Sequence, residues 1–157
     1  MKLVPTKAAV STGALQSVTI FTDGACRNNP GRGGWAAVLV YEGHEKAISG
    51  SEPQTTNNRM EMTAAIEALN ALKRPCAVKL FTDSEYLKNG IEAWLARWRA
   101  RGFRTIDGAP VKNQDLWEKL EEASRRHKVE WNWVKGHAGN RLNEICDLLA
   151  RQALEKD

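Results

Sequence analysis

Four acidic residues lie far apart in this chain, at places where a carboxylate has no evident structural duty: Asp23, Glu61, Asp83 and Asp147. Asp23 and Asp83 each end an apolar run with the composition of a β-strand, and both runs read Phe-Thr-Asp. Glu61 and Asp147 lie inside segments of helical composition. Carboxylates near buried surface are costly unless they are paired or bind a metal. A cluster of such oxygen ligands suits Mg²⁺ or Mn²⁺ better than zinc.

Taken singly, each acid has a structural alternative as a helix cap, a turn residue or a surface charge, and for Glu61 or Asp147 alone that alternative is favoured. Taken together, the four favour a site. Adjacent carboxylates repel one another, which raises the pKa of one of them unless cations neutralise the charge. Four carboxylates around a small volume can hold two divalent ions about 3.5–4 Å apart, the arrangement used for in-line displacement at a phosphodiester.

The elements that position these acids follow from the pattern of apolar residues. Alternation predicts strands over about 17–26, 35–41, 45–51, 77–82 and 129–134. Capping residues and apolar stripes predict helices over about 56–72, 84–90, 92–101, 113–125 and 140–154, with Gly90 interrupting the second and third. This order predicts an α/β fold with a five-stranded mixed sheet, three strands antiparallel and then two parallel, flanked by helices. A helical crossover between the first and fourth strands would place Asp23 beside Asp83.

Composition limits the class of protein. The 157 residues, with 42% hydrophobic and 27% charged, are typical of one globular domain, predicted at 17–157 after a flexible tail at 1–16. Three cysteines without a CxxC pair argue against a disulfide framework and a zinc site, and favour the reducing cytoplasm. No apolar stretch is long enough to span a membrane, and no secretion signal is evident. Without heptad repeats, a monomer is expected.

One segment concentrates positive charge. Between Trp94 and Lys112 there are five bases and one acid, an excess equal to the net charge of +4 of the whole chain. A solvated helix face would explain an arbitrary basic run. Here aromatic residues lie among the bases, and stacking groups beside cations favour a nucleic acid. The residues concerned are Trp94, Trp98 and Phe103 with the bases Arg97, Arg99, Arg101, Arg104 and Lys112.

A histidine follows the last predicted strand. His137 lies in Lys-Gly-His-Ala-Gly, where flanking glycines would leave it on a mobile loop. A side chain that titrates near neutral pH suits proton transfer at an attacking water or at the product. The alternative is an exposed loop histidine without a role. Asn143 precedes Asp147 by four residues, so both share one helix face and Asn143 could orient the acid or the nucleophile.

Together these motifs resemble the bacterial type 1 ribonucleases H. The resemblance runs from about Ser17 to the last helix. It rests on five stretches in the family's order: TDGACRNNPGRGGWA at 22–36, TTNNRMEMTAAIEAL at 55–69, FTDSEYL at 81–87, PVKNQDLW at 110–117 and WVKGHAGNRLNEICDLLAR at 133–151.

The resemblance implies the ribonuclease H-like fold and hydrolysis of the RNA strand of RNA–DNA hybrids with Mg²⁺, leaving 5′-phosphate and 3′-hydroxyl ends. It makes the four acids the metal-binding set and His137 the mobile histidine. It also implies contacts to the substrate. The minor groove would be lined by Cys26, Asn29 and Asn58, a DNA phosphate would lie near Thr56 and Asn57, and the DNA strand would be gripped by the basic segment. Helix capping is the alternative for Thr56 and Asn57, as turn formation is for Asn29.

Three positions depart from the family's usual pattern. Glu85, beside Asp83, replaces a frequent Gln, and its carboxylate could repel phosphate or extend the acidic site. Asn140-Arg141-Leu142 replaces a His-Pro-Glu after the histidine loop, and Phe103 replaces a frequent Trp. Two rival interpretations stay open here: a catalytically silent module that binds hybrid or duplex RNA, and a nuclease of the same fold that acts on DNA.

Overall fold

The computed structural model describes residues 15–105, 107–135 and 140–156. Its centre is a five-stranded sheet with the strand order β3-β2-β1-β4-β5. The strands are β1 (Gln16–Cys26), β2 (Gly31–Tyr41), β3 (His44–Thr55), β4 (Cys76–Thr82) and β5 (Lys128–Trp133). The first three pair in antiparallel fashion, whereas β1 with β4 and β4 with β5 are parallel. The predicted fold class is therefore confirmed.

Helices cover both faces of this sheet. They are α1 (Asn57–Asn70), α2 (Glu85–Asn89), a π-helical segment (Gly90–Trp94), α3 (Leu95–Ala100), α4 (Gln114–Arg125) and α5 (Arg141–Glu155). Polar side chains cap three of them, because Thr56, Ser84 and Asn140 accept hydrogen bonds from backbone N–H groups of the first turns. Within the described ranges, no helix is both long and apolar enough to cross a membrane.

The core lies on both faces of β1. Successive strand residues point to opposite faces, so Ile20 joins the large cluster under α1 and α4, and Phe21 joins a smaller cluster under α5. Trp117 is completely buried in the large cluster, and Cys146 in the smaller. Cys76 is buried as well, so these two cysteines act as small core residues.

The second strand is predicted to begin at about residue 35, because the glycine-rich segment before Trp35 has the composition of a loop, and this boundary is wrong. Strand β2 begins at Gly31, and its glycines mark close approach: a Cβ on Gly34 would collide with the backbone carbonyl of Ala150 in α5. The third strand is also longer than predicted and includes Pro53, which an edge strand tolerates because one side of its ladder is unpaired.

Gly90 interrupts the helix after β4 as predicted, but the chain does not leave the helical path. It forms the π-helical segment, and a Cβ on Gly90 would collide with the indole of Trp117. The wider turn therefore lets the backbone pass directly over a buried aromatic ring, and the basic α3 follows without a loop.

Candidate active site

The sheet brings two of the four acids to the same edge. The parallel pairing of β1 with β4 ends at Phe21 and Phe81, and in both segments a threonine and then the aspartate follow. Asp23 and Asp83 consequently lie side by side just beyond the end of this pairing, as predicted. Asp23 is almost fully buried, and its Oδ1 accepts a hydrogen bond from the Gly24 amide at 2.9 Å.

Helix α1 adds the third acid. The structure brings together Asp23, Glu61 and Asp83, and each offers a carboxylate oxygen within 4.8 Å of the others. The Oε1 atom of Glu61 is buried and has no hydrogen-bond partner among the described residues. A buried acceptor left unsatisfied is costly, and a divalent cation at this point would satisfy it. The donor set, oxygen alone, fits Mg²⁺ or Mn²⁺.

The electrostatics of Glu61 agree with this arrangement. Burial raises the pKa of Glu61 well above its ordinary value, and the negative charges of Asp23 and Asp83 raise it further. Both causes disfavour a third negative charge in the cluster. A bound divalent cation reverses that preference, since it is the largest local charge and favours the ionised carboxylate.

The structure places Asp147 on α5, outside the 4.8 Å group. Its Oδ2 forms an ion pair with Arg151 at 2.7 Å, one helical turn further along. Its neighbour Cys146 donates to the carbonyl of Phe21 at 3.2 Å. Burial and the charge of Asp23 raise the pKa of Cys146 to about 12, so this part of α5 lies within electrostatic reach of the acids.

Two other predicted residues lie at the start of α5 or before it. His137 lies outside the described residues. Asn143 is 5% exposed, and its backbone N–H donates to Asn140 Oδ1 at 3.0 Å. Asn140, the first of the three residues that depart from the family's pattern, therefore caps the start of α5.

The predicted groove residues gather where β1 and β2 meet the start of α1. The Cys26 thiol donates to the carbonyl of Thr55 at 3.4 Å, and Asn29 Oδ1 accepts from the Asn57 amide at 3.0 Å. Thr56 caps α1 as its alternative assignment required, and Asn58 lies half-buried in the first turn. The hydrogen bonds of Cys26 and Asn29 tie the end of β1 and the segment after it to the start of α1, the helix that carries Glu61.

Glu85 does not belong to the acid group. It is exposed at the first residue of α2, where a negative charge is favourable, and it lines a cleft shared with Asp83. Lys88 and Lys135 line the same cleft, so phosphate would meet two cations beside this carboxylate.

The basic segment is less uniform than its sequence indicates. Arg99 faces α4 and pairs with Glu121 at 2.8 Å, and Arg97 and Arg104 bind nearby carbonyls. All four arginines and Lys112 are exposed. Trp94 and Trp98, expected beside the bases as stacking groups, are half-buried and pack against each other, with Trp98 also on Trp117.

Sequence reasoning missed the residues that connect these elements. Gly24 lies directly against α1, and Arg59 joins α1 to the corner before α4. The position of Gly24 immediately after Asp23 could have indicated a close backbone approach beside the acids. Arg59 gave no signal, because its partners lie more than fifty residues away in the chain.

Comparison with known proteins shows the family and agrees with this fold. The sequence model of the family RNase H matches residues 15–155. Ribonuclease H of Cupriavidus necator is 57% identical over 141 residues, which are 90% of this chain and 97% of that protein. Ribonuclease HI of Caulobacter vibrioides is 58% identical over 139 residues, 88% of this chain and 93% of that protein.

Solved structures share the architecture. The crystal structure of LC9-RNase H1, a type 1 RNase H with the type 2 active-site motif, superposes with a TM-score of 0.80 at 34% identity, over 90% of this chain and 73% of that one. LC11-RNase H1, crystallised in complex with RNA/DNA hybrid, shows the same fold at 21% identity and a TM-score of 0.63, over 88% and 96% of the two chains. The chain belongs to the RNase H family and is a bacterial type 1 ribonuclease H.

Proposed function

We propose that this protein is an endonuclease that hydrolyses the RNA strand of RNA–DNA hybrids with two divalent ions, leaving 5′-phosphate and 3′-hydroxyl ends. The observation that carries the proposal is the convergence of Asp23, Glu61 and Asp83 from two strands and a helix to within 4.8 Å. A fold gains no stability by gathering three carboxylates unless a cation or a positively charged ligand joins them.

Mg²⁺ is the proposed ion, with Mn²⁺ as a substitute. Asp23, Glu61 and Asp83 would hold it, and Asp147 on α5 would complete the set. Bound ions lower the pKa of an attacking water and stabilise the leaving 3′ oxygen. The chain's own contribution is to fix the acids on rigid elements, with Asp23 buried in the sheet and Glu61 on α1. His137 would move protons at the attacking water or the product.

The hybrid is proposed as substrate because one set of residues near α1 suits contacts to the RNA strand and another suits contacts to the DNA strand. Cys26 and Asn29 form hydrogen bonds to residues at or just before the start of α1, and Asn58 lies in its first turn, where the three would meet the 2′-hydroxyls of the RNA strand in the minor groove. Thr56 and Asn57 would approach a DNA phosphate. LC11-RNase H1 was crystallised with RNA/DNA hybrid on this fold, which supports the same class of substrate here.

The basic segment would hold the DNA strand. Arg97, Arg101 and Lys112 are exposed and form no ion pair with a carboxylate within the described part of the chain, so we assign phosphate contacts to them first. Glu85 at its cleft and the partly exposed face of Trp94 are further proposed contacts. That the protein acts as a monomer in the cytoplasm stays a prediction.

The silent binding module is the weaker alternative. A module that only binds a polyanion has no use for three acids next to phosphates, since they repel it. Membership of a ribonuclease family also favours catalysis.

The test is cleavage of a labelled RNA–DNA duplex in Mg²⁺, beside matched DNA–DNA and RNA–RNA duplexes. We expect cleavage of the hybrid alone, and an Asp23→Asn variant slower by about 100-fold or more with hybrid affinity largely kept, because it loses a metal ligand. Glu118→Gln, an exposed acid on α4 with the same change of charge, is the control. Binding without cleavage by the wild type would favour the silent module.

A further inference from the structure

We propose that Arg59 is a positioning residue, which holds the start of α1, and with it Glu61, in register with the corner before α4 and with α2. The inference rests on the proposed function, because it assigns Arg59 to the geometry of that same site. It concerns a residue on the far side of α1 from the acids, with no direct part in the chemistry.

The guanidinium of Arg59 makes a fork across two elements. Its Nη1 and Nη2 donate to Oδ1 and Oδ2 of Asp115 at 3.0 and 2.7 Å, and Nη1 also donates to Oδ1 of Asn113 at 3.1 Å. Paired parallel hydrogen bonds fix orientation as well as distance, which a single ammonium contact cannot do. The ion pair is half-exposed and adds little stability by itself, so its value lies in geometry.

The connection continues beyond Asn113 to α2, the helix that follows Asp83. Asn113 Nδ2 donates to the hydroxyl of Tyr86 at 3.0 Å, and the Trp117 indole N–H donates to the same oxygen at 3.3 Å. Tyr86 lies three residues after Asp83, in the helix that follows it. A chain of hydrogen bonds therefore joins the helix of one acid to the helix that follows another.

The corner itself is a defined conformation. Asn113 has φ 60° and ψ 30°, in the left-handed region, and its carbonyl accepts from the amides of Leu116 and Trp117. Asparagine tolerates this region better than other side chains with a Cβ. Arg59 thus donates its hydrogen bonds to a corner whose backbone conformation is well defined.

On its other side α1 presses on the sheet. Residues two positions apart point about 200° from each other around a helix, so Arg59 and Glu61 lie on opposite sides. A Cβ on Gly24 of β1 would lie 2.6 Å from the Glu61 amide nitrogen, so no space remains beneath the helix. The hydrogen bonds of Arg59 restrain the same turn of α1 on the side away from the sheet, and removing them would allow α1 to shift away from β1.

The experiment compares Arg59→Met with Arg59→Lys, which keeps the charge but not the fork. Arg125→Met is the control, since it removes an exposed arginine that faces Glu121 at 3.6 Å and lines a cleft with Leu95 and Arg99 of α3. The readouts are kcat and KM on the hybrid, the affinity of the free protein for Mn²⁺ by paramagnetic resonance, and Tm. We expect Arg59→Met to weaken Mn²⁺ binding and lower kcat by about 10-fold each, with KM changed less than about twofold. Arg59→Lys should fall in between.

A cycle with Tyr86→Phe tests the hydrogen-bonded chain. If Arg59 acts through it, the effects of Arg59→Met and Tyr86→Phe on Mn²⁺ affinity will not multiply, whereas independent sites would give a simple product. A fall in Tm alone, a rise in KM alone, or a simple product would overturn the inference. Wild-type protein that binds Mn²⁺ but leaves the hybrid intact would refute the proposed function, and Mn²⁺ affinity would still decide the role of Arg59.

Discussion

Replacing Gly24 by alanine should disable the site without unfolding the protein. The added Cβ would lie 2.6 Å from the Glu61 amide nitrogen and 2.7 Å from the carbonyl carbon of Met60, whereas ordinary contact begins near 3.4 Å. The backbone of α1 would have to retreat from β1 by about 0.8 Å. These neighbours are backbone atoms, so no side-chain rotation can relieve the collision.

That retreat would separate Glu61 from Asp23 on the strand below. Mg²⁺ requires ligands at about 2.0–2.1 Å in near-octahedral order, so a shift of this size breaks the coordination. A misplacement near 1 Å costs about 100-fold in rate, and overpacking a tight contact costs about 1–3 kcal/mol in the free energy of unfolding. We therefore expect Gly24→Ala to lose about 10- to 100-fold in kcat and to remain folded.

The assay is single-turnover cleavage of a labelled hybrid across a titration of Mg²⁺, with urea unfolding on the same samples. Gly43→Ala is the matched control, because Gly43 has φ 80° in the β2–β3 turn and nothing within 4 Å of an added Cβ. It should cost stability through backbone strain and leave kcat unchanged. Gly24→Ala protein that cleaves at the wild-type rate would refute the reasoning that α1 has no space to move.

Two further predictions concern surfaces away from the acids. Replacing Arg97 and Arg101 by alanine should weaken hybrid binding and reduce the slope of log affinity against log salt by about one for each phosphate that is no longer neutralised. Arg99 is paired with Glu121, so Arg99→Ala should reduce the slope less. Equal slopes for the two variants would contradict this assignment. His127 accepts from the Cys76 amide and contacts the Leu69 carbonyl, each at 3.1 Å, and burial lowers its pKa. A lowered histidine pKa gives stability that is complete above about pH 6.5 and is lost as pH falls, so the advantage of wild type over His127→Gln in urea unfolding should shrink from pH 7.5 to 5.5.

The placement of the acids could be predicted from sequence because it depends on topology. Asp23 and Asp83 each follow a Phe-Thr pair in an apolar run, and a helical connection back into the sheet predicts that the two runs are parallel neighbours, so that the acids meet at one edge. In the structure α1 joins β3 to β4, and β4 pairs in parallel with β1. Glu61 follows from the cap at Thr56 and the buried stripe of α1. These inferences need only periodicity and connection rules.

The remaining features depend on contacts between distant side chains. Glycines are common both in loops and in strands that another backbone approaches closely, as α5 approaches β2. The glycine-rich composition therefore could not show that β2 starts at Gly31. The π-helical segment at Gly90 exists because of the Trp117 ring, which lies twenty-seven residues later. The pairing of Arg99 with Glu121 likewise requires α3 and α4 to be placed first.

The same physics explains why the site needs such close packing around it. Three carboxyl groups this close cannot all carry a negative charge without repelling one another, and Glu61 Oε1 is buried without a hydrogen-bond partner in the described part of the chain, so without a cation both effects favour separation of the elements that carry them. Two of the elements are strands paired in one sheet and cannot separate, but α1 can. Its position is fixed on one side by the absence of a Cβ at Gly24 and on the other by the Arg59 fork. Before a cation binds, only the surrounding contacts can keep these carboxyl groups together. The free energy of cation binding cannot do so, because it is released only after the ligands are already in place.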